Sequence, residues 1–110
     1  MGAASRYVTP DGNFTLVHDP GQHGAIGFEG YSWHTHDDML ASFSVLPKIE
    51  TVPQFVDALE SGRLFIALST VGGEVMNVWV TDDPERELSD TPKGRSVSLR
   101  YWNGQPYHAG

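Results

Sequence analysis

The sequence contains no cysteine. A disulfide framework, a thiolate nucleophile and a zinc–cysteine site are therefore excluded. Long apolar runs are also missing, because a stretch such as Leu64–Leu68 is far shorter than the roughly 20 residues that a membrane-spanning helix needs. The first residues, Met1–Arg6, have no apolar segment like that of a signal peptide. We therefore expect a cytoplasmic protein that does not contact a membrane.

Basic residues are scarce. Seven Lys and Arg face 14 Asp and Glu, which gives a formal net charge of −7. Nucleic-acid-binding proteins need basic side chains to displace counterions, so this balance argues against a nucleic-acid partner. An acidic surface instead suits a protein partner with a basic surface. The 110 residues, of which 39% are hydrophobic, fit a single small domain with flexible ends near 1–5 and 106–110.

The pattern of turns and apolar residues predicts strands near both ends of the chain and helices between them. Two helices are expected, at about 36–46 and 52–61. Strands are expected at about 6–9, 14–18, 25–31, 63–71, 74–81 and 95–102. The order β-β-β-α-α-β-β-β predicts an α+β fold, in which both helices pack on one face of a single antiparallel sheet of about five or six strands. In the last strand, Leu99 is expected to point inward and Arg100 outward.

The helix at 52–61 has the clearest start and stop. Thr51 is suited to cap its first turn, Pro53 is suited to lie in that turn, and Gln54 completes a capping box. Gly62 is suited to the position just after the last turn.

The hairpin around 72–73 has two alternative registers. A two-residue turn would pair Ile66 with Trp79, whereas a bulge or a three-residue loop would put Ile66 on the same face as Val78 and Val80. The first register leaves both faces apolar and would suggest a homodimer, so the oligomeric state stays open.

Residues 32–40 contain two of the five histidines beside two aspartates. On a strand, His34 and His36 would point the same way, followed by Asp38. Imidazole and carboxylate ligands of this kind hold divalent transition metals such as zinc or iron. This interpretation predicts, as an alternative function, a small metal-dependent or acid–base enzyme centred on these three residues.

The same stretch also matches a helix start. Thr35 and Asp38 have the spacing of a capping box, which would begin the helix at 36. We favour this interpretation because no second motif completes a metal or catalytic site. We therefore expect no cofactor and assign no catalytic residue.

Aromatic and acidic side chains are the candidates for partner binding, because aromatic residues dominate interface hot spots and acidic loops attract basic partners. The residues assigned to this contact are Trp33, His34, His36, Trp79, Asp82 and Asp83. In size, acidity and lack of cysteine, the chain resembles many bacterial immunity proteins, which bind and block a basic toxin. This general resemblance implies a small binding or regulatory protein of the immunity type.

Overall fold

The computed structural model describes residues 4–89 and 96–107, which form an α+β fold with two antiparallel sheets. The first sheet has four strands in the order β1-β2-β3-β4, and these are Ser5–Val8, Thr15–Asp19, Ala25–Phe28 and His34–His36. The second has three strands in the order β6-β5-β7, where β5 is Phe65–Val71, β6 is Glu74–Thr81 and β7 is Ser96–Arg100. The two α-helices are α1, Val52–Glu60, and α2, Pro84–Ser89.

The α+β class and the antiparallel pairing are confirmed, but the predicted single sheet of five or six strands is wrong. Strands β1, β2 and β3 each pair with the next strand along the chain, and β4 pairs with β3 alone in the described residues. Strand β5 pairs with both β6 and β7, and these three strands form a separate sheet. Periodicity predicts that a segment is a strand, but it does not predict which strand edges meet.

The predicted helix at 36–46 is also wrong. Thr35 pairs with Ile26 of β3, so the backbone here continues as a strand and is not free to begin a helix. Only a single 3-10 turn follows, at Leu40–Ser42. Phe43 ends this turn with φ −74° and ψ 126°, which are extended angles. The capping box predicted for this stretch is therefore not formed.

Helix α1 lies where the sequence predicts it, and its capping box is present. The Thr51 hydroxyl accepts the Gln54 backbone N–H at 3.3 Å, and the Gln54 side-chain oxygen accepts the Thr51 N–H at 3.1 Å. After the helix, Gly62 has φ +81°, a left-handed conformation that glycine adopts without steric cost. The buried face of the helix consists of Phe55, Val56, Ala58 and Leu59.

One hydrophobic core joins the two sheets and α1. Its buried side chains include Leu16, Ile26, Phe28, Leu40, Ile49, Phe55, Leu59, Leu64, Ile66, Val78, Val80 and Trp102. Within residues 4–89 and 96–107, no strand of one sheet pairs with a strand of the other. Both sheets contribute side chains to this core, so burial of apolar surface holds the two sheets together.

The β5–β6 hairpin uses the bulged register. Ile66 pairs with Val80 and Leu68 with Val78, because the register shifts between Ser69 and Thr70. Val78 and Val80 are therefore buried in the core, while Trp79 points to the other face and is half-buried.

Helix α2 occupies Pro84–Ser89, where the sequence pattern predicts neither a helix nor a strand; residues 90–95 are outside the described part. Asp83 accepts the Arg86 backbone N–H at 3.1 Å and so caps the helix, with Pro84 at its first position. Across the described ranges, no helix has the length and apolar character needed to cross a membrane.

Candidate functional site

A cleft of about 640 Å³ lies beside the C-terminal end of β6. It is lined by four of the six residues that the sequence analysis assigns to partner binding, namely Trp33, Trp79, Asp82 and Asp83. We call it the acidic cleft. Its other lining residues are Ser42, Phe43, Ser44, Val80, Thr81, Arg86 and Glu87.

Trp33 is the residue just before β4, and its position beside the cleft depends on Gly27. A side-chain carbon built on Gly27 would lie 2.5 Å from the Trp33 carbonyl oxygen, which is closer than real contacts allow. Gly27 also pairs with His34 across β3 and β4. The absence of a side chain at position 27 therefore allows β4 and Trp33 to approach this closely.

The segment 42–44 forms a second wall. The Ser44 backbone N–H donates a hydrogen bond to Asp82 Oδ2 at 2.6 Å, which ties this segment to the end of β6. Behind it, the ring of Phe43 packs on the buried ring of Phe55, with centroids 5.4 Å apart. The wall is thus anchored at one side to a carboxylate and at the other to the core.

The third wall is the start of α2. Asp83 donates its backbone N–H to the Thr81 hydroxyl at 3.1 Å, and its carboxylate caps the helix. Because α2 begins immediately after Asp83, Arg86 and Glu87 lie one turn further along and line the same cleft. Three carboxylates and one guanidinium therefore surround the space, and negative charge is in excess.

The two indoles supply the apolar part of the site. Trp33 and Trp79 are both half-buried. In the described part of the chain, neither indole stacks on another aromatic ring. An aromatic face beside carboxylates attracts cations, because the ring quadrupole and the negative charge act in the same direction.

His34 and His36 do not line the acidic cleft, so the six assigned residues fall into two places. His34 instead borders a shallow groove of about 380 Å³ on the outer face of the first sheet. The two imidazoles contact each other edge to face, with ring centroids 5.2 Å apart.

Asp38 does not join the two histidines. Strand β4 ends at His36, so the alternation that would bring Asp38 to the same face stops, and Asp38 lies exposed in the following turn. Within residues 4–89 and 96–107, no three His, Cys, Asp or Glu side chains are grouped so as to hold a metal ion. The neighbouring carboxylate, Asp37, pairs with His18 Nε2 at 3.1 Å.

Phe43, Arg86 and Glu87 line the site although the sequence pattern does not predict them as site residues. The pair Asp83-Pro84 is a helix-start signal that would have placed Arg86 and Glu87 one turn along, whereas nothing local marks Phe43.

Comparisons with family models, with curated proteins and with solved structures found no match for this chain. The functional assignment therefore depends on the geometry of this cleft.

Proposed function

We propose that this protein binds a protein partner through the acidic cleft, and that the cleft takes up an arginine or lysine side chain of that partner. The observation that carries the proposal is the convergence of Trp33, Trp79, Asp82 and Asp83, which come from two distant parts of the chain, on one cleft. Aromatic and charged residues in a concave site are the usual anchors of protein recognition.

The carboxylates retain the capacity to bind a cation. Asp82 uses Oδ2 for the Ser44 N–H, and Asp83 uses Oδ1 for the Arg86 N–H. An ionised carboxylate has two oxygens with about four acceptor positions, so each retains capacity for an incoming donor. A guanidinium can donate to such oxygens while its plane stacks on an indole.

The net charge of −7 supports the same partner class, because it attracts a basic surface from a distance and raises the association rate. A regulatory role follows, in which the chain covers a basic surface of its partner. The narrower form of this proposal is an immunity-type inhibitor of a basic toxin.

The test uses an octaarginine peptide as the probe and follows tryptophan fluorescence at low salt. Wild-type protein is expected to bind it, and Asp82→Asn/Asp83→Asn is expected to bind roughly tenfold more weakly, because two partly exposed charges together contribute about 1.4 kcal/mol. Asparagine retains an acceptor oxygen for the Ser44 and Arg86 amides, so the walls of the cleft should be preserved.

The matched control is Glu60→Gln/Glu74→Gln, which removes the same net charge from exposed positions outside the acidic cleft. Its affinity for the peptide should stay within about twofold of wild type. Equal weakening by the two double variants would show that only net charge matters and would refute the cleft as the binding site.

A further inference from the structure

We propose a second site that is independent of the acidic cleft: His34 and His36 bind one divalent transition-metal ion through their Nε2 atoms. Both histidines lie on β4, two residues apart, so their side chains are on the same face of the strand. β4 is an edge strand of the first sheet, and in the described residues it pairs only with β3. The His34 side chain is exposed, so an ion can approach the pair from solvent.

The hydrogen bonds of the two imidazole rings engage Nδ1 and leave Nε2 available to bind a metal ion. Nδ1 of His34 lies 3.3 Å from the Ser32 carbonyl oxygen, and Nδ1 of His36 lies 3.1 Å from the His23 carbonyl oxygen. A carbonyl oxygen only accepts, so each Nδ1 must carry the hydrogen, and each neutral ring then has its lone pair on Nε2. Metal-binding histidines commonly donate their other ring N–H to a backbone carbonyl in this way.

The spacing of the rings fits a shared ion. Two imidazoles that bind one tetrahedral ion at about 2.1 Å through Nε2 have ring centroids about 5 Å apart. The observed separation is 5.2 Å. His34 is exposed and His36 is half-buried, so water can complete the coordination.

The ligand type selects the ion. Imidazole nitrogen suits zinc, nickel and copper, whereas magnesium and calcium prefer oxygen ligands. His18 lies outside this site, because it is in register with Ile26 and Thr35 and so shares the opposite face of the sheet. It is also engaged by Asp37.

The experiment is calorimetric titration of untagged protein with Zn²⁺, Cu²⁺ or Mg²⁺ in a buffer that does not chelate metals. We expect one Zn²⁺ or one Cu²⁺ per chain, with Cu²⁺ bound more tightly, and no binding of Mg²⁺. His34→Gln and His36→Gln should each weaken Zn²⁺ binding by roughly tenfold or more. His18→Gln is the matched control and should bind Zn²⁺ like wild type.

Three results would overturn this proposal: no Zn²⁺ binding by wild type, unchanged binding in both His34→Gln and His36→Gln, or several weak ions spread over the chain. Urea unfolding of each variant checks that the fold is retained. Octaarginine binding by His34→Gln separates the two proposals, since the acidic cleft should be unaffected whether or not the metal site exists.

Discussion

Replacing Asp11 with alanine is expected to lower the free energy of unfolding by about 3 kcal/mol, as measured by urea denaturation. Asp11 lies in the turn between β1 and β2, and its Oδ2 accepts a hydrogen bond from Arg100 Nη1 of β7 at 2.6 Å. This ion pair joins the two sheets. The Arg100 side chain is only 10% exposed, so its removal from water is costly once the carboxylate is gone.

The surroundings of Arg100 explain why the pair is buried. Its guanidinium lies 5.0 Å from the centre of the Phe14 ring and also donates to the Tyr101 and Trp102 carbonyl oxygens. These contacts remain in Asp11→Ala, but they do not neutralise the charge. The variant therefore retains a buried cation without its counter-ion, which is the main source of the expected loss.

The effect should depend on pH. Hydrogen bonds from Arg100, and then from Thr9, hold the pKa of the Asp11 carboxyl well below its ordinary value. A group with a lowered pKa in the folded state stabilises the fold fully above its unfolded pKa of about 3.9, and the stabilisation is lost as the pH falls. The difference between wild type and Asp11→Ala should thus be largest near neutral pH and shrink below about pH 4.

The control for this prediction is Glu29→Gln, which breaks the ion pair between Arg6 and Glu29. Both side chains of that pair are 53% exposed, so water and salt already screen their attraction. Its removal should change stability little. A loss for Glu29→Gln as large as that for Asp11→Ala, or a loss for Asp11→Ala that does not change between pH 7 and pH 2, would contradict the role assigned to burial.

Replacing Phe55 with alanine is expected to lower the free energy of unfolding by about 4 kcal/mol. Phe55 is 0% exposed, and it packs in the core shared by α1 and both sheets. Truncation removes buried apolar surface and leaves a cavity that close-packed neighbours fill only in part. Phe43 rests on this ring and also lines the acidic cleft, so the variant should in addition weaken octaarginine binding.

Met76→Ala is the control for Phe55→Ala. Met76 is 57% exposed, and its truncation should change the free energy of unfolding by less than about 0.5 kcal/mol. Comparable losses for the two variants in urea denaturation would mean that Phe55 does not hold the central position in the core described above.

The sequence predicts an element correctly where neighbouring residues specify it and no contact with a distant part of the chain competes. Thr51, Pro53 and Gln54 specify the start of α1 among residues close in sequence, and that helix is observed. The pattern at Thr35 and Asp38 is equally local, but pairing of β4 with β3 overrides it. Alternation along the last strand predicts that Arg100 points outward, but Arg100 is buried, because Asp11, which is distant in sequence, neutralises it.

The sequence likewise predicts only part of the candidate site. Residue type and charge single out Trp33, Trp79, Asp82 and Asp83, and these four do line one cleft. His34 and His36 lie one and three residues after Trp33 in the sequence, but they do not line the cleft. Trp33 borders both the acidic cleft and the groove beside His34, so proximity to Trp33 in sequence does not bring His34 into the cleft.

The most direct test of the acidic cleft follows the three indole N–H resonances of the protein by NMR during titration with octaarginine. Trp102 is an internal control, because it is 7% exposed in the core and does not line the cleft. We predict that the Trp33 and Trp79 resonances shift with saturation while that of Trp102 does not, and that both shifts diminish in Asp82→Asn/Asp83→Asn. Unchanged Trp33 and Trp79 resonances while the peptide binds would contradict the proposed function.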